Sequence, residues 1–274
     1  MGAAHMISRV GMALAGFLAF APISAFAQGE ISEADRASLV GAIERGQAIY
    51  NYDQAAWHTT DAMLEQISDP ASEGIRGWII NELDDGLEAV FFRPAGDGFE
   101  AVWSGVYGGG KVRDTTKYEP GERPFSAKEI ALARAAKLPR NEEMQRCSAK
   151  PFNSVVIPTG KNDGSLFVYY LVPQETFDAV PLGGHYRFEI RDDEIVDRRK
   201  FTNSCLSLPT GNGDDEKKPA GLFVTHVLDP VPTEIHVFST FAARIPIYVS
   251  TTANERTWVS EISSGKSRIR LVER

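Results

Sequence analysis

The sequence predicts an α+β protein: N-terminal helices and a small antiparallel meander, followed by a larger, mainly antiparallel β half built as a sandwich or a partly open barrel. Three observations predict this. Apolar residues recur at roughly helical spacing between Ser32 and Ile67. From Gly77 the period shortens to β-type runs split by Asp-Gly spacers. Beyond Pro139 nearly every apolar segment is short, rich in β-branched or aromatic residues and bounded by turn residues. Periodicity is the primary signal for either kind of element, and segregation of helices from strands along the chain is the mark of the α+β class.

The first residues have a different character. Arg9 precedes an apolar run from Val10 to Phe20, Pro22 breaks that run, and Ala25-Phe26-Ala27 places small residues before Gln28. A charged start, a short apolar stretch and an A-x-A site make a cleavable secretory signal over residues 1–27. The run is too short for a membrane span, which needs about 20 residues. The mature protein is therefore expected to be periplasmic or secreted, with no transmembrane segment after cleavage. Residues 28–139 form the α+β region and 140–274 the mainly β region.

Ser32, followed three residues on by Asp35, has the spacing of a capped helix start. Leu39, Val40, Ile43, Ala48 and Ile49 continue a first helical stretch, and Ala56, Trp57, Met63, Leu64 and Ile67 a second. The lapse between them predicts a helical hairpin or one interrupted helix, ended by Ser68-Asp69-Pro70 because proline blocks the turn before it. Gly77–Leu83, Leu87–Arg93 and Phe99–Val106 are then three strands, joined by Asp84-Asp85-Gly86 and Gly96-Asp97-Gly98, which are hairpin signals. A polar, Gly-rich loop follows from Gly108 to Pro124. Ser126 caps a helix from Ala127 to about Lys137, which Pro139 stops.

In the β half, strands are expected near residues 155–157, 166–172, 185–190, 195–202, 222–228, 234–241, 247–251, 257–262 and 267–272. Arg191–Glu194 and Asp229–Pro232 are read as hairpin turns, and Thr210–Lys218 as a hydrophilic loop. A faint echo links Cys147, Pro158-Thr159-Gly160 and Leu166-Phe167-Val168 with Cys205, Pro209-Thr210-Gly211 and Leu222-Phe223-Val224, at unequal spacings.

Composition excludes some partners. A formal net charge of −8 makes the chain a poor candidate for nucleic acid or an anionic membrane, both of which need a basic face. The two cysteines, Cys147 and Cys205, are an even pair in an exported chain, which predicts a disulfide rather than a catalytic thiol.

Catalytic motifs are weak. Gly105 to Lys111 fits G-x-x-x-x-G-K, but Val112 stands where the loop needs Ser or Thr, and no helical pattern follows. His226 and His236, placed on a hairpin around Asp229–Pro232, are expected on opposite faces and so share no metal. No metal or cofactor is expected. The acidic groups Asp192-Asp193-Glu194 with Asp197, and Asp214-Asp215-Glu216, lack calcium-loop spacing. One segment stands out. Gly183-Gly184 leads into His185-Tyr186-Arg187, with His185, Arg187 and Glu189 alternating onto one face of a strand. His185 and Arg187 are the candidate ligand-binding residues, an imidazole to handle a proton and a planar guanidinium to clamp an anion. The expected function is a periplasmic binding or interaction module whose partner is an unknown protein or a small anionic ligand. A hydrolase, or another enzyme with a dispersed His/Arg/carboxylate site, is the alternative.

Overall fold

Helix α1, Glu33–Gln66, runs unbroken for 34 residues, about 50 Å at the usual rise per residue. The computed structural model describes residues 30–211 and 218–272, together with Met1. The signal segment and the Asp214–Glu216 cluster thus lie outside the described residues. The expected break in α1 does not occur, because its buried stripe is carried by residues that hydropathy overlooks. Leu39, Ala42, Gly46, Ile49, Tyr52, Ala55, Thr59 and Met63 face inward at three- and four-residue steps. Val40, Trp57 and Leu64, counted toward the apolar pattern, point to solvent instead.

Four antiparallel strands follow: β1 Gly77–Leu83, β2 Gly86–Ala95, β3 Gly98–Gly108 and β4 Lys111–Lys117, paired in chain order. The last was expected to be loop. Lys111–Lys117 is an edge strand with no buried residue, so it shows no apolar alternation. The Gly109-Gly110 pair is its turn, both residues having positive φ (57° and 77°), as a two-residue hairpin needs. The look-alike phosphate loop is this hairpin. One face of the sheet packs Ala89, Phe91, Val102 and Trp103 against Met63 and Ile67 at the end of α1. The other packs Val90, Phe92 and Ala101 against Leu132 and Ala133 of α2, Ala127–Ala135. The predicted Ser126 cap closes a full capping box with Glu129.

The remaining strands lie in three sheets. The first has the order β5-β6-β8-β9, with β5 Asn153–Pro158, β6 Leu166–Leu171, β8 Tyr186–Arg191 and β9 Glu194–Lys200. The second is a short pair of β7 Ala179–Pro181 and β10 Ser207–Pro209. The third has the order β11-β12-β13-β14, with β11 Leu222–His226, β12 Ile247–Thr251, β13 Arg256–Ser263 and β14 Lys266–Leu271. The two halves of the echo therefore fold differently, one as the β5-β6 hairpin, the other divided between the second and third sheets.

The predicted strand at 234–241 is instead a helix, α3 Glu234–Ala243, and Asp229–Pro232 is not a hairpin turn. α3 is a crossover that makes β11 and β12 parallel neighbours. Every α3 residue except Ala242 is buried, so no polar face betrays a helical period. Ile49 and Tyr52 of α1, Ile235 and Phe238 of α3, and Phe167, Tyr169 and Leu171 of β6 share one core, joining residues from either side of Pro139.

Candidate functional site

Strand β8 carries the predicted segment, and the alternation holds: Tyr186, Phe188 and Ile190 pack on one face, His185 and Arg187 on the other, toward α3. Each meets the protein rather than an open cleft. His185 is fully buried; its Nδ1 accepts from the Val172 N–H at 3.1 Å and its Nε2 lies 3.2 Å from the Pro181 carbonyl. Burial lowers its pKa to about 4, so the ring is neutral and donates from Nε2. The two glycines before it are explained by the disulfide. Cys147 and Cys205 are bonded, and a Cβ on Gly184 (φ 84°) would stand 2.3 Å from the Cys147 sulfur. A Cβ on Gly183 would stand 2.4 Å from the Ser204 carbonyl oxygen. The close approach is made to the bridge and its flanking chain.

Arg187 belongs to a buried charged cluster between β8, α1 and α3. The carboxylate of Glu234, first residue of α3, accepts from Arg187 at 2.9 Å, Tyr169 at 3.1 Å and Arg45 of α1 at 3.3 Å. Burial pushes the Glu234 pKa up, but Arg45, Arg187 and Arg199 outweigh it and hold the group ionised. The helix N-terminus favours the same charge. Arg187 also stacks over Phe167 and lies 3.6 Å from Asp197. Its Nε has no partner among the described residues. The fork that was to clamp a ligand is largely spent on Glu234.

A second chain of contacts adjoins it. Asp229 accepts from Arg199 at 2.7 Å and lies 2.8 Å from His226 Nε2. The His226 and His236 rings are 4.8 Å apart, edge to face. This corrects their expected separation onto opposite faces: the chain enters a helix after Thr233, which turns His236 back over β11. His236 Nδ1 accepts the Thr233 N–H at 3.0 Å, closing the start of α3, and burial lowers its pKa to about 3. Among the described residues no three His, Cys, Asp or Glu side chains converge to hold a metal. The cluster is a fastening between α1, α3, β9 and β11.

The accessible feature lies elsewhere, along α1. Trp57, His58 and Tyr107 of β3 form a ladder of near-parallel rings, with centroids 4.9 and 5.0 Å apart. Tyr107 has a pKa raised by burial and then by the nearby Tyr50 phenol, and Tyr50 stacks on Phe241 of α3 at 4.9 Å. Tyr50 and Phe241 open onto a groove of about 350 Å³, completed by Arg244, Ile245, Pro246 and Ile262. That volume is within the range of small-ligand sites, about 300–1,000 Å³. A second void, between α1, β1, α2 and β5, measures only about 10 Å³, room for a water at most.

The chain matches no protein-family model, no curated protein and no solved structure.

Sequence reasoning missed the groove for two reasons. Tyr50 and Trp57 are seven residues apart, two helical turns, and a continuous α1 would have placed them on one face. Reading two helices hid that. Phe241 and Arg244 became invisible when α3 was read as a strand. Among the described residues no helix is long and apolar enough to cross a membrane.

Proposed function

We propose that this is an exported, disulfide-stapled binding module that takes a small apolar ligand in the groove between α1, α3 and the β13–β14 hairpin. The groove itself carries the reading, walled by Tyr50 stacked on Phe241 together with Ile245, Pro246 and Ile262. Export is supported by the A-x-A pattern of residues 25–27 and by the Cys147–Cys205 bond, which suits an oxidising compartment. An enzyme with a dispersed His/Arg/carboxylate site draws less support. His185 has both ring nitrogens engaged, and Arg187 is committed to Glu234.

Titration with the neutral fluorescent probe N-phenylnaphthylamine tests the reading. The folded chain should bind it at one saturable site, and Ile262→Glu, which sets a charge on the half-exposed groove wall, should abolish that binding. Absence of saturable binding, or equal binding by Ile262→Glu, overturns it.

A further inference from the structure

The groove is walled mainly by apolar side chains, with Thr240 among them and with Arg244, the residue that caps α3, as its one charged member. Arg244 sits in the left-handed region, φ 54° and ψ 34°, a position that glycine fills at least cost. No carboxylate among the described residues pairs with its exposed guanidinium. The guanidinium at the edge of the groove is thus open to an anion, beside the stacked rings of Tyr50 and Phe241.

We infer that the groove's ligand is an amphipathic anion, with its apolar body against Tyr50, Phe241 and Ile262 and its carboxylate on Arg244. The inference rests on the groove being the binding surface. A planar fork matches a carboxylate with two parallel hydrogen bonds. The carbonyl end of α3 repels an anion, so the guanidinium has to supply the whole preference. Its removal should therefore erase the discrimination between a charged and a neutral head group.

Displacement of N-phenylnaphthylamine from the full chain at neutral pH by decanoate and by decanol reads this directly. Decanoate should displace the probe at about tenfold lower concentration than decanol, the effect of one charge-assisted pair. In Arg244→Gly, with each concentration read against that variant's own affinity for the probe, the preference for decanoate over decanol should be lost. The melting temperature of that variant should be equal or higher, since glycine relaxes the cap, so the loss is not one of folding. Equal displacement by the two compounds, or a preference that survives Arg244→Gly, overturns anion recognition and leaves the groove standing. If the probe never binds, the groove reading falls and this inference with it.

Discussion

Two buried histidines and the partly buried Asp53 shape how the protein responds to mild acid. His185 and His236 titrate at about 4 and about 3 when folded, against 6.5 when free, because burial penalises the imidazolium. Above pH ~6.5 both are neutral in either state and cost nothing. As pH falls below that value the unfolded chain takes up two protons that the folded chain refuses, and stability drops. Asp53 works in the opposite sense. Burial raises its pKa from 3.8 to about 6, despite hydrogen bonds from Asn153 and Gln54. Its ionisation therefore destabilises the fold above pH ~6, and that penalty is relieved as it protonates. From these three groups alone, the net between pH ~6 and ~5 is one extra proton on the unfolded chain, a loss of about 1.4 kcal/mol per pH unit. Asp53→Asn removes the counterweight, so it should stabilise the protein at pH 7 and steepen the slope to about 2.7 kcal/mol per unit. Guanidinium unfolding at pH 7, 6 and 5 checks both; an unchanged slope in the variant would refute the assignment.

The pair of helices shows what local patterning conceals. α1 meets α3 most closely at Gly46, where a Cβ would stand 2.5 Å from Val237 Cβ and 2.7 Å from the Glu234 carbonyl oxygen. Gly46→Ala should gain about 1 kcal/mol of helix propensity and lose more, up to about 3 kcal/mol, to overpacking, for a net loss. Gly41→Ala is the milder comparison, because the nearest atoms to its Cβ belong to the side-chain end of Arg45 rather than to backbone, although that guanidinium is the one paired with Glu234. That variant should lose less in thermal unfolding than Gly46→Ala, and equal behaviour of the two would disprove the close contact. The inward-facing Gly46 and Thr59 are also why one helix looked like two. α3 was lost for a different reason: Ile235, Val237, Thr240 and Phe241 favour strands in isolation, and burial on all sides removed the polar stripe that marks a helix. Short hairpins were legible because their turns carry their own chemistry, as at Asp192-Asp193, where both residues adopt positive φ. Strand β8 was legible too, and so was the shared face of His185 and Arg187. The partners that occupy them come from α3 and the β7 loop, and no local pattern announces a long-range partner.

At the scale of the whole molecule, the covalent link was the most readable long-range contact, since an even pair of cysteines leaves one pairing. The bridge joins residues 58 apart. Replacing both cysteines by alanine should cost about 4 kcal/mol on the chain-entropy model, measurable by denaturant unfolding under non-reducing conditions. A loss below about 1 kcal/mol would mean the bridge constrains little. The ion pair between Arg45 and Glu234 spans far more chain, 189 residues, and it bears on how the protein is made. Ribosomes deliver the N-terminal end first, at roughly 5–20 residues per second. α1 is thus complete for about 8–34 s before the segment that buries Gly46 and neutralises Arg45 has emerged. Throughout that interval a long helix-forming stretch with an uncovered apolar stripe waits for its partner, a natural client for a holding chaperone.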